Sequence, residues 1–121
     1  MKKRILVVED TEDNRQILRD LLTFAGFDLI EAGDGATGVD MARLHRPDLV
    51  LMDLQLPVID GFEATRRIRA DPALRDMPVI AVTSFAMSGD AERAIDSGCN
   101  AYVAKPFSPR ALLAKIREFL G

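Results

Sequence analysis

The chain has 121 residues, about one domain's length, and 48% of them are apolar, enough to build a core. Charge is nearly balanced, 16 basic against 19 acidic residues for a net −3, which argues against a protein held on nucleic acid by bulk positive charge. One cysteine, Cys99, excludes an intrachain disulfide and a multi-thiolate metal centre, and one histidine, His45, excludes sites that need two imidazoles. No apolar run approaches the ~18 residues of a membrane span, and Met1-Lys2-Lys3-Arg4 is not followed by a signal-peptide pattern. A cytoplasmic chain without membrane insertion is expected.

No linker, repeat or low-complexity segment interrupts the sequence, so residues 1–121 are expected to form one domain. Ile5-Leu6-Val7-Val8 is a short, largely β-branched run of the buried-strand type. From Thr11 the period changes, and Ile17, Leu18, Leu21, Leu22 and Ala25 form a helical stripe that Gly26 is placed to stop. Phe27 to Glu31 reads as a second strand. Asp34 is a helix cap ahead of Val39 and Ala42, and Pro47 ends that helix near Arg46.

Leu49-Val50-Leu51-Met52 is the third strand, followed by a turn with Pro57 and Asp60-Gly61 and a helix facing inward through Phe62, Thr65 and Ile68. The run Arg66, Arg67, Arg69 is expected on that helix's solvated face. Val79 to Val82 is the fourth strand. Between Ser88 and Ser97 only Ala91, Ala94 and Ile95 offer an apolar stripe, the thinnest in the chain. Ala101 to Ala104 is the fifth strand. Ser108 caps a last helix with Pro109 in its first turn and Leu112, Leu113, Ile116, Phe119 and Leu120 along one side. Five strand–helix repeats predict an α/β fold, a parallel sheet with helices on both faces, and the length fits the order 2-1-3-4-5.

Open parallel sheets bind ligands beyond the carboxyl ends of their strands. The residues that end the apolar runs are Glu9-Asp10, Asp53, Thr83 and Lys105, with Glu31 to one side. Two carboxylates ~4 Å apart repel by about 4 kcal/mol at an effective dielectric of 20, so such a cluster holds a proton or recruits a cation. Oxygen donors without His or Cys favour a hard ion, and a small hydrated site suits Mg²⁺. Taken singly, Asp10 also reads as a cap for the first helix, Asp53 as a turn residue and Lys105 as a solvated charge. Their coincidence on one edge is what favours a site.

The motifs Val7-Val8-Glu9-Asp10, Leu51-Met52-Asp53-Leu54-Gln55-Leu56-Pro57 with Asp60-Gly61, Val82-Thr83-Ser84 and Ala104-Lys105-Pro106-Phe107 stand in order along the chain. With them the sequence resembles the receiver domain of two-component response regulators over essentially its whole length. The resemblance implies phosphoryl transfer to Asp53 from a phosphohistidine on a histidine kinase or histidine phosphotransfer protein. It implies Mg²⁺ held by Asp10 directly, by Glu9 through water, by Asp53 and by the backbone carbonyl of Gln55. Thr83 and Lys105 are expected on the phosphoryl oxygens, the Lys105-Pro106 bond is expected to be cis, and Gln55 and Phe85 are expected to tune the lifetime of the product. His45, at the end of the second helix, has no route to Asp53, so the donor is expected from another protein.

The resemblance further implies a switch in which Thr83 moves toward the phosphoryl group and Tyr102 turns inward. The responsive surface is expected on the fourth helix, fifth strand and fifth helix, with Ala86, Met87, Tyr102 and Phe107 near it, facing a downstream protein target rather than nucleic acid. Thr83 to Asp90 and Gly98 to Tyr102 are similar to single-domain regulators and to receivers attached to hybrid kinases. A receiver cut from a larger regulator with a DNA-binding or enzymatic output is the alternative. An aspartyl-phosphate phosphatase generally needs a second acid two residues after its nucleophile, where this chain has Gln55. A nucleotide binder needs a Gly-rich loop after the first strand, where this chain has Glu9-Asp10-Thr11-Glu12-Asp13. The domain is expected to catalyse only its own phosphorylation and dephosphorylation.

Overall fold

The computed structural model describes residues 2–83 and 89–120. Five strands, β1 (Arg4–Val8), β2 (Asp28–Ala32), β3 (Leu49–Asp53), β4 (Val79–Thr83) and β5 (Ala101–Ala104), form one parallel sheet in the order β2-β1-β3-β4-β5. The intervening helices are α1 (Glu12–Phe24), α2 (Gly35–His45), α3 (Gly61–Ala70), α4 (Asp90–Ser97) and α5 (Pro109–Leu120). A short 3-10 turn, Pro72–Leu74, follows α3 and was not foreshadowed in the sequence pattern.

The three central strands have both faces covered, which is why they are apolar runs rather than alternating ones. Ile5, Val7, Leu49, Leu51, Ile80 and Val82 pack with Leu18 and Leu22 of α1 and Leu112 and Ile116 of α5. The alternate residues Leu6, Val8, Val50, Met52, Val79 and Ala81 pack with Val39, Phe62, Ile68 and Ala94 of α2, α3 and α4. Each large side chain buried in this way contributes roughly 1.5–3 kcal/mol.

Local signals at the helix ends hold. The Asp34 carboxylate accepts from the Thr37 N–H at 2.7 Å and the Ser108 hydroxyl from the Ala111 N–H at 3.3 Å, and Asp60, expected only in a turn, also caps α3 by accepting from the Glu63 N–H at 2.8 Å. Thr11, not Asp10, occupies the cap position of α1, which leaves the Asp10 carboxylate free of that duty. Three stripe positions differ from expectation. Ile17 of α1 and Ile95 of α4 are exposed, each at the edge of its helix's buried face beside Leu18 and Ala94, and Ala91 is exposed in the first turn of α4. Gly61 is required by packing: a Cβ there would collide with the Asp53 carbonyl and the Leu54 backbone, so α3 starts directly against the end of β3.

Candidate functional site

The strand alternation that builds the core also selects what reaches the sheet edge. Glu9, Asp53 and Lys105 continue the registers of Ile5/Val7, Leu49/Leu51 and Ala101/Val103, which face α1 and α5. Thr83 continues Val79/Ala81 and lies in register with Ala104, on the side of Tyr102 and the α2–α4 layer. A one-residue slip in any strand would turn its polar terminal residue to the other face.

The result is a cluster in which carboxylate oxygens of Glu9, Asp10 and Asp53 lie within 4.8 Å of one another. Glu9 and Asp53 are buried and Asp10 is exposed. The Lys105 ammonium donates to Glu9 Oε2 at 2.7 Å and to Asp53 Oδ2 at 3.4 Å. Asp53 Oδ1 accepts from the backbone N–H of Gln55 at 3.0 Å. Glu9 Oε1 accepts from the Thr11 N–H and from Asn14 Nδ2, both at 3.3 Å.

Electrostatics separate the two buried acids. Burial pushes the Asp53 carboxyl up and the neighbouring Glu9 charge adds to this, against the Gln55 N–H and Lys105, leaving it at about 6. Burial also disfavours the Glu9 carboxylate, but its hydrogen bonds with Lys105 and Asp53 outweigh that and hold it below the ordinary range. Burial likewise opposes the Lys105 charge, and its two carboxylate partners raise it above the usual lysine value. Three carboxylates against one ammonium leave a net −2 on an all-oxygen donor set, which fits one hard divalent cation.

Among known proteins, a family model described as the response regulator receiver domain matches residues 5–117. The chain belongs to the response regulator receiver family. It is 46% identical over 121 residues to the polar-differentiation response regulator DivK of Brucella anthropi, covering 100% of this chain and 98% of that one. Its fold is similar to the receiver domain of the sensor histidine kinase PA1611 from Pseudomonas aeruginosa PAO1, solved with a magnesium ion coordinated in its active-site cleft (38% identity, TM-score 0.94, covering 100% and 99% of the two chains). It is also similar to a chain in the co-crystal structure of the Saccharomyces cerevisiae phosphotransfer protein Ypd1 with the receiver domain of Ssk1 (32% identity, TM-score 0.88, covering 98% and 88%). The fold is thus the flavodoxin-like receiver fold, and the chain is a receiver of two-component signalling.

Thr83 is buried, and its backbone carbonyl accepts from the Lys105 N–H at 2.7 Å. The Lys105-Pro106 peptide is cis. Tyr102 is half-buried against the core layer of α2, α3 and α4. Gln55 is exposed in the loop after β3, where Val58 takes a left-handed conformation at φ +73. His45 ends α2, which runs back from the carboxyl edge of the sheet, so it lies at the opposite edge from Asp53. Phe85, with Ala86 and Met87, lies outside the described residues.

The expectation for the arginine run of α3 is overturned in part. Arg66 and Arg67 pair with Glu63 on the surface, but Arg69 is not solvated: it donates to the carbonyls of Gly98, Arg75 and Met77 at 2.8, 3.1 and 2.7 Å and to Asn100 Oδ1 at 2.7 Å. The physical reason is supply. The loop from α3 to β4 and the turn before β5 leave carbonyls without ladder partners, and a five-donor guanidinium satisfies several at once. Sequence reasoning also missed Asn14 and Arg15, which reach Glu9 from the first turn of α1. Their only signal is proximity in sequence to the acidic pair.

Proposed function

We propose that residues 1–121 act as one phospho-accepting receiver, in which Asp53 takes a phosphoryl group from a phosphohistidine on a histidine kinase or histidine phosphotransfer protein. The observation that carries this reading is the convergence of Glu9, Asp10, Asp53 and Lys105 at one sheet edge, with Lys105 bridging two buried carboxylates. Family membership and the magnesium-bound relative support it.

In the transfer, a carboxylate oxygen of Asp53 forms the new O–P bond as the P–N bond breaks, and the electron pair of that bond returns to the donor imidazole. Asp10, Glu9 through water, Asp53 and the backbone carbonyl of Gln55 would hold Mg²⁺. When bound, Mg²⁺ supplies positive charge to the equatorial oxygens of the transferring group. Lys105 then exchanges part of its pairing with Glu9 and Asp53 for a phosphoryl oxygen, and the Thr83 hydroxyl donates to another. Gln55, two residues after Asp53, sits in the loop that borders the path of a hydrolysing water, and Phe85 is assigned the matching position after Thr83.

Phosphorylation adds about one negative charge and three acceptor oxygens. The responsive surface is α4, β5 and α5, where Thr83 is drawn toward the phosphoryl group and Tyr102 closes behind it to alter a protein-binding face. The chain acts on no external substrate: the position of a phosphatase's second acid is Gln55. It works in the cytoplasm, with a protein target and no direct nucleic-acid contact; the described residues contain no helix long and apolar enough to cross a membrane.

The test is phosphotransfer from a panel of phosphorylated histidine kinases and phosphotransfer proteins to the wild type and to Asp53→Asn. Label should pass to the wild type in Mg²⁺ and not to Asp53→Asn. Equal labelling of both overturns the acceptor assignment.

A further inference from the structure

Asp10 is the least supported member of the acidic cluster. Its carboxylate is exposed and meets one neighbour, the Thr11 hydroxyl at 3.4 Å. Glu9, by contrast, is held through its N–H to the Ala32 carbonyl at 3.0 Å and through both carboxylate oxygens. The position of Asp10 therefore depends on the peptide that joins it to Glu9. Because a peptide unit is planar, fixing the Glu9 carbonyl fixes the N–H and Cα of Asp10 with it.

That carbonyl is held by Arg15, whose Nη1 donates to it at 2.7 Å. The same guanidinium is anchored elsewhere: Nη2 donates to Glu12 at 2.7 Å, and Nε lies 3.5 Å from Glu31 near the end of the edge strand β2. Glu31 is itself pinned by Arg19, which donates to both of its oxygens at 2.8 Å. Gly33 leaves the room this needs, since a Cβ there would come within 3.3 Å of Arg15 Nη1. The Arg15 side chain is 19% exposed, consistent with a guanidinium lodged between α1 and the sheet edge.

We infer that Arg15 is a positioning residue for the metal site: it transmits the fixed geometry of β2 and α1 to the Glu9–Asp10 peptide and so sets where Asp10 presents its oxygens to Mg²⁺. The inference rests on the reading of Glu9, Asp10 and Asp53 as the Mg²⁺ ligands.

The inference has a sign that charge alone contradicts. Arg15 is a cation beside an acidic cluster, so by Coulomb's law its removal strengthens binding of a divalent cation. A positioning role weakens it, as loss of groups that orient metal ligands typically does by 10–100-fold. Mg²⁺ affinity of the full chain by isothermal titration calorimetry separates the two. Arg15→Met is expected to bind Mg²⁺ about tenfold more weakly. Arg15→Lys keeps the charge but lacks the planar fork, and should also bind more weakly than the wild type. Arg110→Met removes a cation in the first turn of α5 that makes none of these contacts, and should bind as tightly as the wild type or more so.

Melting in EDTA checks that each variant is folded, and the amide shifts of Asp10 and Thr11 should move in Arg15→Lys and stay in Arg110→Met. Equal or tighter Mg²⁺ binding by both Arg15 variants overturns the positioning role while leaving the site reading intact. A wild type that binds no Mg²⁺ overturns the site reading and the inference together.

Discussion

Glu9 is tied by its N–H, its carbonyl and both carboxylate oxygens, to Ala32, Arg15, Thr11, Asn14 and Lys105. Across the sheet, the eight residues of α4 bury only Ala94 and Ser97, with Arg93 stacked 4.1 Å over the Phe62 ring and Ser97 touched by Arg66. The first region is over-determined by bonds from β2, from α1 and its cap, and from the residue after β5. The second is anchored shallowly, through Ala94 and Ser97. Arg69 and Asn100 hold the far end of α4 at Gly98, so any displacement is largest at the end nearer Thr83.

Core truncation should break this contrast most visibly. Ile116→Ala, in the core layer between α5, α1 and the sheet, is expected to cost 2–5 kcal/mol in urea unfolding, whereas Ile95→Ala on α4 should stay within about 0.5 kcal/mol. Comparable costs would mean that α4 is anchored as firmly as the α1/α5 layer.

A second effect, on the order of 1–3 kcal/mol, comes from the charge stored at Asp53. Its folded pKa of about 6 lies above its ordinary 3.8, so the protonated carboxyl favours the fold below pH 4 and this contribution is lost as pH rises through 6. Asp53→Asn should therefore be more stable than the wild type in EDTA at pH 8, with the gap closing toward pH 4. A pH-independent difference would contradict the buried, crowded carboxylate.

Metal should substitute for that mutation. Mg²⁺ at 100 times its dissociation constant is expected to stabilise the wild type by about 2.7 kcal/mol and to leave Asp10→Asn nearly unchanged, as read from thermal melts. The smallest effect belongs to the loop after Asp53. Val58 is a β-branched residue at φ +73, so Val58→Gly should gain about 1 kcal/mol or less, while loss of stability would show the strained geometry to be compensated by its contacts.

Much of this was legible in the residues themselves. Strand ends carry their polar residue in sequence, and parallel register then brings Glu9, Asp53 and Lys105 together without further information. Caps at Asp34 and Ser108 are local and were equally readable. What was not readable depends on reach: Arg69 satisfies carbonyls from segments up to 29 residues away, and Arg15 looks like an ordinary charged position on a helix surface until the Glu9 carbonyl is seen beneath it. Ile17 and Ile95 were misplaced because periodicity fixes a helix face to within one position and not which edge of it the sheet covers.

The proposed acceptor role of Asp53, with Glu9 and Asp10 holding the cation it needs, can be tested directly. The most direct measurement is mass-spectrometric mapping of the acyl phosphate after transfer from a phosphohistidine donor, with Mg²⁺ and with EDTA. A single borohydride-trapped site at Asp53 is expected, formed in Mg²⁺ and lost in EDTA. A phosphoryl group on any other residue, or equal labelling of Asp53 in EDTA, would contradict it.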